Sequence, residues 1–418
     1  MSFANRHWMA LVALIIAGEA VFSLPFHVVR FFRPTVLDVF GITNLEIGQA
    51  QGTYGVIAMA CYFLGGPLAD RFEAKYLLLT SLLATAAGGL YFAQLPGIEG
   101  LRILYAFWGC STILLFWSAL IKATREWGGL SQQGRAFGLL EAGRGAFAAV
   151  LVSIAVWILS FFLPANLDNL EASQQRAALQ WIIYLYTAAT LFAALLVALF
   201  IPIHGTATIT TRAASESSAI LRLKTVIAAP QVWPQLVIVV SAYVAYKGID
   251  NYVLYAVKGY QLSEVEGARV AALSGWLRPI SAIAAGFLAD RIRPSRLVLG
   301  SFLLLIAGYG LFAILTPSPG MYWILISNVV VTSAAVYALH AVYFALVAES
   351  RIPLGVTGTA VGIISVVGFT PDIFFAPAMG WLLDNHSAVQ GHQLVFTGLL
   401  AFACLGCFST LLFIKKVP

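Results

Sequence analysis

Twelve apolar stretches, each long enough to cross a bilayer, follow one another along this chain. They lie at roughly 8–33, 45–69, 75–95, 101–123, 137–163, 180–203, 231–257, 265–289, 297–316, 321–348, 354–382 and 391–414. About 20 mostly apolar residues, at a rise of about 1.5 Å each, match the hydrocarbon thickness. Lipid supplies no hydrogen bonds, so a segment crossing it must satisfy its own backbone, and stretches of this length do so as helices. The expected fold is therefore an all-α membrane protein with 12 transmembrane helices. Composition agrees: 60% of the 418 residues are hydrophobic and only 10% charged, which excludes a soluble enzyme, a disordered chain and a disulfide scaffold. The net charge of +6 is a basic excess of the kind cytoplasmic loops carry, not a nucleic-acid footprint. Cys61, Cys110, Cys404 and Cys407 sit in apolar runs without metal-ligand or pairing patterns. No metal and no cofactor is expected. The first stretch holds Glu19, is too long for a signal-peptide core and is followed by no cleavage site, so it counts as a span.

Orientation follows from loop charges. With the N-terminus inside, the cytoplasmic loops collect Arg6, Arg71, Lys75, Arg125, Arg135, Arg212, Arg222, Lys224, Arg291, Arg293, Arg296, Arg351, Lys415 and Lys416. The outer loops collect Arg33, Arg102, Arg176, Lys258 and Arg269. Both termini are expected in the cytoplasm, in a multi-pass protein of the plasma (inner) membrane. The most polar internal stretch, 204–230, divides the chain into an N-terminal six-helix bundle (1–203) and a C-terminal one (231–418).

The halves repeat one another. Gly66-Pro67-Leu68-Ala69-Asp70-Arg71 returns as Gly286-Phe287-Leu288-Ala289-Asp290-Arg291, an offset of 290 − 70 = 220. The register continues through Leu77/Leu297, Ser81/Ser301, Gly88/Gly308 and Phe92/Phe312. Parallel six-helix repeats are a transporter architecture. The paired G-x-L-A-D-R loops, after the second and eighth spans, resemble the signature of the major facilitator superfamily, and span count, halves and linker fit it over the whole chain. Downstream the family continues with Gly and basic residues, where this chain has Glu73-Ala74-Lys75 and Arg293-Pro294-Ser295. The resemblance implies a carrier, not an enzyme, that moves small solutes by alternating access, without nucleic-acid partners and as a monomer. It gives Asp70, Arg71, Asp290 and Arg291 gating roles.

Ionisable side chains inside spans are costly and mark functional sites by default. Glu19, His27 and Arg30 lie on the first span, Glu141 and Arg144 three apart on the fifth, Lys247 and Asp250 three apart on the seventh. Arg278 lies on the eighth and Asp372 on the eleventh. The same spacings also allow structural ion pairs within a helix, and Arg30 has the alternative of snorkelling outward with Arg33. Together Arg30, Arg144, Lys247 and Arg278, with His27 in support, suggest a positive cavity that replaces the hydration of an anion. Glu19, Glu141, Asp250 and Asp372 are the candidates for proton coupling, Glu19 first because no base lies at helical spacing on its own span.

A finer resemblance concerns Val28-Val29-Arg30-Phe31-Phe32 and Tyr246-Lys247-Gly248-Ile249-Asp250, which look like the paired basic sites of the organophosphate:phosphate antiporter branch. Gly134-Arg135-Ala136-Phe137-Gly138 and Gly380-Trp381-Leu382-Leu383-Asp384 are similar to its pattern as well. Counted from the Asp-Arg motif the branch's basic position falls nearer His27 than Arg30, and Lys247 stands where the branch has Arg. The fifth span lacks the Gly-Pro-Gly-Gly run of drug/proton antiporters. The expected function is transport of a small hydrophilic, anionic organic solute, coupled to protons or exchanged for a counter-anion. The alternatives are efflux of amphipathic compounds and a transporter-like sensor. The Gly- and Pro-rich eleventh span, Gly355 to Gly380, reads as a moving gate helix.

Overall fold

The computed structural model describes residues 3–129, 133–163, 172–203, 224, 226–289, 291–350 and 357–417. Every regular element among them is helical. Eleven helices are long and apolar enough to cross a membrane. In chain order, spans 1 and 2 are Arg6–Phe31 and Asn44–Arg71, and spans 4 to 6 are Ile98–Gly128, Ala136–Phe162 and Ala172–Phe200. Spans 7 to 12 are Val232–Tyr260, Glu264–Ala289, Pro294–Ile314, Pro319–Val342, Ala360–Asp384 and Ala388–Lys416. Span 3 is the 19-residue helix Ala74–Phe92, at about 28 Å just under the hydrocarbon thickness. These are the twelve helices the sequence leads one to expect. Most of the stretch 204–230 and Asp290 lie outside the described residues.

The internal repeat extends to the helix caps. Thr43 and Glu46 close a capping box before span 2: the Thr43 amide donates to Glu46 Oε2 at 2.8 Å, and the Glu46 amide to Thr43 Oγ1 at 3.2 Å. Ser263 and Glu266 do the same before span 8, at 2.9 and 3.3 Å, again 220 residues on (263 − 43). Each box satisfies amides that a helix start leaves bare.

The N- and C-termini sit at one end of the bundle, and the halves close against each other at the far end. Span 2 packs along span 11 through Gly48, Gly52 and Gly55. A Cβ on Gly55 would stand 2.5 Å from the carbonyl carbon of Asp372, and one on Gly52 2.8 Å from the Ile373 oxygen. Only glycine permits backbones this near. Span 8 runs along span 5, and Val253, Val265, Ala268, Ala271 and Ala272 from the second half bury themselves in the apolar core of the first. Asp384, ending span 11, accepts from the Leu45 amide at 2.7 Å and from the Asn44 amide and side chain at 3.1 and 2.9 Å. Glu264 accepts from Thr35 Oγ1 and, at 2.7 Å, from Gln175 Nε2.

Gly55→Val should therefore force spans 2 and 11 apart at the far end. Overpacking of this kind costs about 1–3 kcal/mol, which shifts the closed state roughly tenfold toward open. The check is maleimide labelling of a cysteine placed at the fully buried Ala268, in a background without the four native cysteines. The labelling rate should rise by about that factor; an unchanged rate would show that these glycines do not set the seal.

Candidate functional site

Four of the spans that meet at the centre are not regular helices there. Span 1 passes into a π-helical stretch at Ser23–His27, around Pro25, and breaks again at Phe32. Span 4 is π-helical at Cys110–Trp117, and span 7 tightens to a 3-10 turn at Ile249–Asn251. Span 11 is interrupted at Phe369–Thr370, between Thr357–Gly368 and Pro371–Asp384. Such departures redirect side chains and free backbone groups at functional sites. His27, Asp250 and Asp372 sit at or beside three of them.

All nine ionisable residues singled out inside the spans gather here, in two groups. In the first, Glu19 is almost wholly buried and accepts from three cationic or ring nitrogens. Arg278 Nη1 donates at 2.7 Å and Arg144 Nε at 3.1 Å, and His27 Nε2 lies at 3.3 Å. Arg144 Nη1 also donates to Glu141 at 2.6 Å, and Arg278 Nη2 lies 3.8 Å from the same carboxylate. Glu141 is the most open member, its side chain 42% exposed. This knot ties spans 1, 5 and 8 together.

In the second group Arg30 pairs with Asp250, donates from Nη1 to the Tyr246 hydroxyl at 3.0 Å, and lies 4.6 Å above the Tyr246 ring. Lys247 Nζ is 3.1 Å from Asp372 Oδ1 and 4.6 Å over the Phe26 ring. Tyr243 donates to Asp372 Oδ2 at 2.9 Å. Asp372 keeps 12% of its side chain exposed, whereas Lys247 keeps 3%. A row of half-buried rings runs from the second group to His340. Phe369 lies 4.9 Å from Tyr243, Tyr243 stacks at 5.8 Å on Tyr246, and Tyr246 lies 5.1 Å from His340.

Arg30 and Asp250 are 220 residues apart, equivalent places in the two halves, so their pair straddles the axis relating the repeats. His27 and Lys247 are likewise equivalent (247 − 27 = 220). Four acids answer four bases across the array, with His27 making no ion pair beyond Glu19. The expectation of an excess of positive charge gives way to a matched network. Snorkelling is corrected as well: Arg30 and Arg33 are both buried. The gating-motif residues Asp70, Arg71 and Arg291 are exposed and stand apart from the centre, while Lys122 Nζ donates to the carbonyl of Ala69, within the motif, at 2.8 Å.

The fold and the repeat agree with the family comparison: the Major Facilitator Superfamily model matches residues 15–371. The chain belongs to that family. It is similar to the inner membrane protein YihN of Escherichia coli K12, 24% identical over 417 residues that cover 99% of this chain and 96% of the relative. Among solved structures it resembles a mutant of the nucleoside transporter NupG, with TM-score 0.76, 12% identity and coverage of 98% and 100%. The D-xylose-proton symporter gives TM-score 0.76 and 14% identity, with coverage of 100% and 98%. These likenesses establish the fold. The chain is a multi-pass protein of the plasma membrane, from a family of solute transporters rather than enzymes.

Sequence reasoning passed over the rings. Tyr243, Tyr246, Lys247 and Asp250 stand at i, i+3, i+4 and i+7, one helical face, and that spacing was the available signal. Phe26, Phe369 and Tyr62, which stacks on Phe369 at 6.0 Å, carry none, because aromatic residues are common throughout these spans.

Glu19→Gln should destabilise the folded protein by about 3 kcal/mol, since removing one partner of a buried ion pair strands the others. Glu141→Gln, at a more exposed carboxylate, should cost well under half as much. Thermal unfolding of the two purified variants decides this; equal losses would show that Glu19 is not the keystone.

Proposed function

We propose that the protein is a secondary active transporter that moves a small organic anion together with a proton. Residues 1–203 and 231–418 rock about the central site, joined by 204–230, with both termini in the cytoplasm. The observation that carries this reading is the Lys247–Asp372 pair. It is one cation facing one partly exposed acid, ringed by Phe26, Tyr243 and Phe369.

The argument is one of charge balance. The array is already matched acid for base, so an added anion leaves an uncompensated charge in a medium of low dielectric, which is costly. A proton on Asp372 removes that cost. It releases Lys247, and the solute's acidic group takes the carboxylate's place on the ammonium. Anion and proton then load as a neutral pair. Simple anion exchange has no such compensation. Asp372 suits the role because it answers a single base. Glu19 answers three, and neutralising it would leave Arg144 and Arg278 with only Glu141 between them. Glu19 thus serves as a tie, and Arg30, Asp250, Arg144, Arg278 and His27 shape the field around the solute. The half-buried rings Tyr62, Tyr243, Tyr246 and Phe369 would suit amphipathic efflux cargo too, and the test separates the two.

Purified protein would be screened by thermal shift against organic acids, phosphate esters and neutral or cationic controls, since a ligand of the folded state raises the melting temperature. An acid should stabilise the wild type and lose its effect on Lys247→Ala. Uptake of one proton with the solute makes affinity fall about tenfold per pH unit wherever that uptake accompanies binding, and Asp372→Asn should bind with a flat pH profile. Stabilisation only by lipophilic cations, unchanged in Lys247→Ala, would overturn the reading in favour of efflux.

A further inference from the structure

One buried base stands outside the matched array. Arg33 opens the short helix Arg33–Phe40 at the far end and is fully buried. Its Nε donates to Asn44 Oδ1 at 2.9 Å, while Nη1 and Nη2, also buried, have no hydrogen-bond partner. Two acids act on it electrostatically, Asp250 and Asp384, and both are engaged: Asp250 by Arg30, Asp384 by the Asn44 and Leu45 groups. Among the described residues no carboxylate lies within ion-pair distance of it. Arg30, Arg144, Lys247 and Arg278 all have such a partner.

A guanidinium carries five donors in a rigid fork shaped for two oxygens of one oxyanion. Burying it with one neutral acceptor is unfavourable, and the closed far end bears that cost. The helix that carries it packs on span 6 of its own half and on Tyr252–Tyr260 of the other half. Asn44, its hydrogen-bond partner, is also the residue that Asp384 holds from span 11. Parting span 2 from span 11 breaks the Asp384 contact and separates Asn44 from the other half, one step outward along the chain from Arg30.

We propose that Arg33 is a binding station for an oxyanion, present only when the far end is open, and that the bound oxyanion stabilises the open state. A ligand shifts an equilibrium by its differential affinity for the two states. Here the closed state has none to offer, because both terminal nitrogens are occluded. The oxyanion is recognised by charge and by paired oxygens, so carboxylate, phosphate and sulfate groups all qualify. The station rests on the two-ended fold and not on the organic-acid reading of the central site, and an inorganic probe tests it separately.

The experiment uses full-length protein in detergent, where sulfate reaches both ends, with the Ala268→Cys reporter in the background free of native cysteines. Sulfate should raise maleimide labelling by roughly tenfold. Arg33→Lys, which keeps the charge and loses the fork, should weaken the response, and Arg33→Gln should abolish it. Arg33→Gln should also label more slowly than its parent without sulfate, because the closed state no longer buries an unanswered charge. Labelling that ignores sulfate in the parent, or responds equally in Arg33→Gln, would overturn the proposal, and the Lys247→Ala thermal-shift result would stand or fall independently.

Discussion

Charge placed at membrane depth has to be answered on the spot, and the centre of this molecule is organised by that requirement. Glu19 alone gathers Arg144, Arg278 and His27, and so joins three spans that apolar packing would leave free to slide. Leu against Leu gains little in lipid, where the surroundings are as apolar as the contact. A carboxylate between two guanidinium groups fixes the register of its helices far more strongly. The charged centre is built around this fixed point, with the more exposed acids Glu141 and Asp372 at its margins.

The repeat explains how such a network arises from two similar halves. Identical residues at Arg30 and Asp250 would set like charges against each other across the axis. The pair exists because the halves differ at that position while keeping the same caps and the same motif. The His27 and Lys247 positions diverged too. One became a ring tucked against Glu19, the other an ammonium facing Asp372. Near-symmetry in the scaffold thus carries asymmetry in the site, and rocking halves need only the former.

The scaffold was legible in the residues because its signals are periodic and long. Twelve apolar stretches and a 220-residue register survive any local detail, and span boundaries fell within a few residues for most helices. The list of buried charges was legible too, since each breaks an apolar run. Their pairing was not. Arg144 shares a helical face with Glu141 and does pair with it, yet its second acid comes from span 1. Lys247 shares a face with Asp250 but faces Asp372 instead, which no spacing along one helix encodes. Those partners depend on how the spans pack against one another.

Gly55 has no side chain to put between span 2 and the backbone of Asp372. The seal of the far end and the wall of the central site are consequently the same few atoms. A partition with no thickness cannot yield on one side alone. Any shift of the Asp372 backbone away from the centre is also a shift of the joint behind it, so the width of the centre and the tightness of the far-end contact are set by a single dimension.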